Sequence, residues 1–438
     1  MDSFEQFSSQ SLDDWLSYLE SIHSRSIDPG LDRMNAVAER MDLTPLKKSV
    51  IVTVTGTNGK GSVTNLLAAF LMDAGFSCNL YNSPHLLKFN ERITVNGRMV
   101  SDEELFSAFE YIEMLRLESG VTLTFFEFTT LAAFHIFCLN PSDYLILEVG
   151  MGGRYDSVNI LDASLAIITN VALDHMHFLG DTREEIGYQK VGILKKGGKL
   201  IYGEENIPGS VEREVQTLGA ECILAGRDYT YSVSDTDFEF RDGSGTVSSI
   251  PLPVIPPGNA AMVLSALHVL GVEVEPQRIR DIIAGFCMPG RFQKILNDPP
   301  VYVDVGHNPH AFRYLIERMR RLRARSEVSR FTAVVGMLRD KDYSAALNML
   351  AAEVSALFLA SLPGSRGETA DNLAGALSVQ NCAVSRYNNV DEAFEAALRD
   401  AELKGGTAVL VAGSFLTASA VMSHIASDQG QCFRLASL

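Results

Sequence analysis

The sequence is short of positive charge. Against 54 Asp and Glu it sets 37 Lys and Arg, a formal net charge of −17 over 438 residues. A surface this acidic does not track a nucleic-acid backbone, so an anionic ligand must be held by a local device. Cysteine is sparse as well: Cys78, Cys138, Cys222, Cys287, Cys382 and Cys432 stand at least 50 residues apart. That spacing excludes zinc knuckles and redox pairs and fits buried free thiols in a reducing compartment. No apolar run approaches the ~18 residues that a membrane span needs. The opening MDSFEQFSSQSLDDW is polar and acidic, without a signal-peptide core. A cytoplasmic protein with neither nucleic acid nor membrane as partner is expected. Internal repeats and low-complexity segments are absent from the sequence.

What is present is an ordinary globular composition, 46% apolar and 21% charged. Residues 12–41 read as a helix, a break at Asp28-Pro29-Gly30 and a second helix. Ser49–Val54 is a β-branched run that meets a Gly-rich turn. Val63, Leu66, Leu67, Phe70, Leu71 and Ala74 then mark one helical face, and Ser77–Tyr81 reads as the next strand. Strand, turn, helix and strand make the βαβ unit of an open parallel sheet. Tyr144–Val149 and Leu165–Thr169 read as buried strands, and Ser101 with Glu104 and Thr182 with Glu185 as capping boxes. Residues 226–254 switch to hairpin-like alternation, and Pro256-Pro257-Gly258 opens a helix near Asn259. The turn-rich stretch Met288–Pro300 is the best boundary. Beyond it a second α/β series runs through strands Val301–Val305, Phe331–Val335, Ala356–Leu359 and Ala408–Val411, with helices from Pro309 and Tyr343.

The chemistry gathers where strands end. Thr55-Gly56-Thr57-Asn58-Gly59-Lys60-Gly61-Ser62 lies between strand and helix. Such a turn aims N–H groups and a helix N-terminus at phosphate, and Lys60 would neutralise phosphate oxygens. The strict pattern G-x-x-x-x-G-K-[ST] fails, since residue 54 is Val and the hydroxyl comes at Ser62. Glu148 leaves an apolar strand into Val149-Gly150-Met151-Gly152-Gly153-Arg154, a position suited to Mg²⁺ beside phosphates. Asp174-His175 and Ser83-Pro84-His85 follow two other strands. Together Ser83, Glu148 and His175 would make a metal site without cysteine. By spacing alone Lys190 is a solvated helix lysine. Asp304, in Asp304-Val305-Gly306-His307-Asn308-Pro309, ends the first strand of the second series, where it could accept from ribose hydroxyls or cap a helix. On these residues a small-molecule kinase, which needs no amine, and a nucleotide-binding regulatory module both stay open.

In their order, WLSYLESIHSRSIDPGLDR, VTGTNGKGS, SPHL, FFEFTTLAA, LEVGMGGRYDSVN, LDHMHFLG, PGRFQ, DVGHNPHA and GMLRDKD resemble the folate branch of the Mur-type amide ligases from Trp15 to Ser414. The resemblance implies an α/β fold. It implies an N-terminal P-loop ATPase domain (residues 1–288) with a mostly parallel sheet and a small β-rich part, which would bind ATP and pterin. A hinge or linker (289–300) joins it to a C-terminal Rossmann-like glutamate ligase domain (301–438). The implied activity joins L-glutamate to 7,8-dihydropteroate, and to the γ-carboxylate of tetrahydrofolate and its glutamates, through an acyl phosphate. The implied working unit is a monomer.

The resemblance also assigns residues. Lys60, Glu148, His175 and Lys190 are implied to be catalytic, with Lys190 carbamylated. Asn58, Gly59, Lys60, Gly61, Ser62, Asn259, Arg291, Asp304 and His307 are implied to hold ATP. Ser62, Ser83, Glu148 and His175 are implied to hold Mg²⁺ at two sites. The pterin would lie against Ile27, Asp28, Pro29 and Gly30, Thr124, Phe125 and Phe126, and Arg154, Tyr155 and Asp156. The chain departs from the family pattern at Pro29, Gln189, Val191 and Gly306.

Overall fold

The computed structural model describes residues 11–25, 27–378 and 382–429. The first ten residues of the polar N-terminal segment and Cys432 lie outside them. The described chain divides into two compact units, one of residues up to 253 together with 257–285, the other of 254–256 together with residues from 286 onward. Residues 254–256 thus belong with the second unit.

The first unit is built on eight strands, β1 (Val50–Thr55), β2 (Cys78–Tyr81), β3 (Ile93–Val95), β4 (Arg98–Met99), β5 (Tyr144–Glu148), β6 (Leu165–Ile168), β7 (Lys199–Tyr202) and β8 (Glu221–Leu224). Their order is β4-β3-β2-β5-β1-β6-β7-β8. The six strands from β2 to β8 are parallel, and β3 and β4 add an antiparallel edge. The central strands carry apolar side chains on both faces because helices cover both. In β1 every residue after Val50 is buried.

The helices are α1 (Leu12–Ser21), α2 (Asp32–Ala38), α3 (Lys60–Asp73), α4 (Asp102–Ser119), α5 (Phe125–Leu139), α6 (Met176–Leu179), α7 (Arg183–Val191), α8 (Gly209–Leu218), α9 (Pro257–Val269) and α10 (Pro276–Gly285). Helices α1, α2, α4 and α5 share one core with Ile51, Tyr81, Leu145 and Leu147 of the sheet. Within it Trp15 meets Phe109 with ring centroids 5.6 Å apart. The opposite face receives α3, which also packs on α9. A three-stranded antiparallel sheet, β9 (Thr230–Val233), β10 (Asp237–Asp242) and β11 (Gly245–Pro251), supplies the β-rich part.

The second unit has six strands, β12 (Gln293–Asn297), β13 (Pro300–Val303), β14 (Arg330–Val335), β15 (Ala356–Ala360), β16 (Ala383–Tyr387) and β17 (Thr407–Ala412). They run in the order β12-β13-β17-β14-β15-β16, all parallel except β12. Helices α11 (Pro309–Ala324), α12 (Tyr343–Ala351), α13 (Ala370–Gly375), α14 (Val390–Lys404) and α15 (Phe415–Gln429) complete the Rossmann-like pattern. Part of the stretch read as a linker is therefore β12, an edge strand with mixed polarity. Among the described residues no helix is long and apolar enough to cross a membrane.

Candidate active site

Four neighbouring parallel strands, β2, β5, β1 and β6, deliver Ser83, Glu148, the Gly-rich loop and His175 to their carboxyl ends, where open α/β sheets bind ligands. The loop is fastened on both flanks. Thr55 Oγ1 donates to Gly152 O at 2.6 Å, tying it to the segment after Glu148. On the other side Thr57 Oγ1 donates to Ala172 O at 3.1 Å and accepts Ala172 N–H at 3.0 Å, tying it to the segment that carries His175. Asn170 Oδ1 accepts the N–H groups of Thr57 and Asn58, at 3.2 and 3.0 Å. The carbonyl of Asn58 accepts from Thr169 Oγ1 and Asn170 Nδ2.

With Thr57 and Asn58 so engaged, the N–H groups left to face a phosphate are those at the start of α3, which have no intrahelical acceptor. Gly59 caps that helix at φ +82°, and a Cβ there would meet Asn259 Nδ2 at 2.3 Å. Glycine is therefore required there, both for the positive φ and for the close approach of Asn259. Lys60 curls back over the loop and donates to Gly56 O at 3.2 Å. Asn259, on α9, therefore lies against the loop, 200 residues away in sequence from Gly59.

Glu148 is 5% exposed at the end of β5, and one of its oxygens accepts Ser83 N–H at 3.0 Å. A buried carboxylate that holds the Ser83 N–H at a strand end is a hard-oxygen donor of the kind that fits a divalent ion. His175 takes a left-handed conformation, φ +51°, and its N–H donates to Asp174 Oδ1 at 2.9 Å. Such backbone strain in a non-glycine residue concentrates at functional sites.

Lys190 is 3% exposed in the last turn of α7, which overturns the reading of it as a solvated lysine. Burial, and then repulsion from Lys60, bring its amine down to about 7, against the pull of Asp174 and Asp156. Such an amine is largely neutral just above neutrality. Asp156 is pushed the other way, up to about 6, by burial. The N–H groups of Met151, Val158 and Gly150 and the charge of Lys60 restrain that rise. Asp156 caps a short 3₁₀ turn, with one oxygen on Met151 N–H and the other on Val158 N–H. Around Lys60 the chain thus gathers two groups whose charges are poised near neutral pH, a pattern common at reactive sites.

Two domain profiles match the chain: the Mur ligase middle domain over residues 54–249, and the Mur ligase glutamate ligase domain over residues 290–415. The dihydrofolate synthase/folylpolyglutamate synthase of Escherichia coli strain K12 is 42% identical over 412 residues, covering 94% of each chain. A solved structure of E. coli FolC in complex with DHPP and ADP matches with a TM-score of 0.89 at 41% identity, covering 96% of this chain and 99% of that one. Another, a bifunctional folylpolyglutamate synthase/dihydrofolate synthase with Mn, AMPPNP and L-glutamate bound, gives 0.86 at 37% identity, covering 95% and 98%. The chain belongs to the dihydrofolate synthase/folylpolyglutamate synthase family of Mur ligases.

Beyond Ile27–Gly30, the residues that this family resemblance assigns to the pterin fall into two groups. Thr124, Phe125 and Phe126 form the N-terminus of α5, where Thr124 and Glu127 make a capping box. The Phe126 ring lies over Gly150, so close that a Cβ on that glycine would sit 2.6 Å from it. Phe126 and Asp156 therefore flank the same loop. Arg154 instead points along α7, stacked 4.0 Å from the Tyr188 ring and paired with Glu214 at 2.9 Å, and Tyr155 is exposed. In the second unit Asp304 is buried, which raises its carboxyl, and it accepts N–H from Phe292 at 2.8 Å and from Gly306 at 2.6 Å. Beside it Arg291 lies over the Phe415 ring at 5.5 Å, and His307 Nδ1 is 3.0 Å from Val305 O.

Sequence reasoning misses Arg92. Its guanidinium packs on the Phe89 and Phe125 rings and donates Nε–H to His85 Nδ1 at 2.9 Å. Burial, and then the charge of Arg92, lower His85 to about 4, so at neutral pH it is an uncharged acceptor. Only the SPH motif marks this pair in the sequence.

Proposed function

We propose that the chain joins L-glutamate to two acceptors with ATP, making dihydrofolate from dihydropteroate and extending the γ-carboxylate of tetrahydrofolate glutamates. The observation that carries this reading is the phosphate cradle, Gly59 to Ser62, laced by Thr55 and Thr57 to the segments that bear Glu148 and His175. The E. coli FolC complex with DHPP and ADP, and the relative with Mn, AMPPNP and L-glutamate bound, support the same ligand classes here.

The chemistry follows from leaving groups. A carboxylate does not react with an amine, because oxide would have to depart. Transfer of the γ-phosphoryl group of ATP to the acceptor carboxylate releases ADP and leaves an acyl phosphate. The amine of glutamate, once deprotonated, attacks the acyl carbon, and inorganic phosphate leaves as the amide forms. Phosphoryl transfer asks the protein for positioning and charge neutralisation rather than covalent help. The α3 N–H groups and Lys60 supply both. Ser62, Ser83, Glu148 and His175 would hold a divalent ion, which would supply further neutralisation of phosphate charge. We assign Asn259, Arg291, Asp304 and His307 to the nucleotide on the family resemblance, and read Lys190 as carrying a carbamate. We read the working form as a monomer on the family resemblance.

An ADP-release assay tests the proposal. Turnover should require L-glutamate together with dihydropteroate or tetrahydrofolate. Glutamate-independent phosphorylation of a stable product would point to a kinase instead.

A further inference from the structure

Two of the stretches that the family resemblance assigns to the pterin, Ile27–Gly30 and Thr124–Phe126, are nearly a hundred residues apart in sequence. The first is irregular chain between α1 and α2, and α2 has no side-chain N-cap to fix it. Something else must hold it against α5. We propose that Arg33 is a positioning residue, a latch that joins both halves of the pterin wall through one guanidinium. This rests on the reading of these residues as the pterin wall.

The geometry uses the whole fork. Arg33 Nη1 lies 2.7 Å from Asp28 Oδ2, and Nη2 donates to the backbone carbonyl of Asp28 at 2.6 Å. The same Nη2 donates to Glu127 Oε1 at 2.9 Å, and Nε to Glu127 Oε2 at 3.4 Å. Glu127 in turn accepts Thr124 N–H at 2.8 Å. One cation thus runs from the irregular segment to the first turn of α5. His23 lies close to both stretches, with Nδ1 2.8 Å from Thr122 Oγ1 and Nε2 3.4 Å from Asp28 Oδ2. Burial works against the charged form of Asp28, but Arg33, Arg25 and His23 outweigh it and hold the carboxyl below its ordinary value. Asp28 is therefore occupied by cations of the chain itself, and it serves the pterin by placing Ile27 and Pro29.

Glu127 is buried and needs a paired cation. Lysine at position 33 keeps the charge but cannot form the fork, bridging two carboxylates and a carbonyl at once. A wall held loosely binds substrate less well and leaves the chemical step as it was.

The test is steady-state kinetics of Arg33→Lys and Glu127→Gln with dihydropteroate and with tetrahydrofolate, alongside thermal melting. Glutamine can keep the cap on Thr124 while losing the ion pair, so it serves if the lysine variant does not fold. The expected result is a rise of about tenfold or more in KM for both pterins, with kcat and KM for ATP within about threefold. Unchanged pterin KM in both variants overturns the latch. Parallel losses in kcat and in ATP affinity also overturn it, because they mark a general structural role. Ile27→Ala separates the two layers of the argument. If it leaves pterin KM unchanged, the wall itself is misassigned. If it raises that KM while Arg33→Lys does not, the wall stands and the latch falls.

Discussion

The hydroxyl of Thr55 donates to the carbonyl of Gly152 at 2.6 Å, and both groups are buried at the end of the sheet. This bond couples the start of the phosphate loop to the segment that follows Glu148. Thr55→Val keeps the shape and leaves the Gly152 carbonyl without its donor, a loss of about 1–3 kcal/mol. The variant should stay folded, with a melting point a few degrees lower and kcat down by roughly tenfold. Steady-state kinetics and a thermal melt check this, and wild-type kcat would show that the tie is not needed for alignment.

Lys60→Ala and Glu148→Gln test the cradle and the carboxylate separately. Lys60 is the cation curled over the loop, and Glu148 is the buried carboxylate that holds the Ser83 N–H. Each substitution should lower turnover by about 10²–10³ or more, the scale of removing one preorganised charge-stabilising group. Glutamine can still accept the Ser83 N–H, so stability should change little. Near-normal turnover in either variant would remove that residue from its role.

Gly150 allows the Phe126 ring to lie on the segment after Glu148. Gly150→Ala puts a methyl 2.6 Å from ring atoms and must shift the ring. The expected outcome is a several-fold rise in KM for pterin substrates with KM for ATP unaltered. Equal changes in both would place Phe126 in general packing rather than in the pterin wall.

How much of this is legible in the sequence depends on how local the signal is. Central parallel strands read as unbroken apolar runs, so Val50–Thr55 and Tyr144–Glu148 fall within a residue or so of expectation. The edge strand Ala383–Tyr387 does not, because its residues are largely exposed and of mixed polarity. The Gly-Lys turn announces itself through residues adjacent in sequence. Asn170 does not, because it meets Thr57 and Asn58 from more than a hundred residues away. Thr124 and Glu127 form a readable T-x-x-E cap, yet nothing in the sequence marks Arg33 as the second partner of that glutamate. Lys190 shows the same limit in reverse. Its spacing suggests solvent, and only the packing of the sheet ends around it reveals the burial.

That burial has a consequence for pH. In the folded chain the Lys190 amine sits at about 7, against 10.5 in the open chain. Below about 7 both states hold the proton and stability does not depend on it. Between about 7 and 10.5 the unfolded chain binds a proton that the folded chain does not, so stability rises with pH across that window. In bicarbonate-free buffer, urea midpoints at pH 6.5, 8 and 9.5 should therefore climb more steeply for the native chain than for Lys190→Met, and parallel curves would show that the amine is not depressed. The neutral amine is also the form that adds carbon dioxide. A carbamate there would turn a buried base into a carboxylate near Lys60. Lys190→Ala should then lose activity that a short carboxylate such as formate partly restores. A fully active Lys190→Ala would leave the residue a packing role only, since its loss would have removed nothing that the reaction uses.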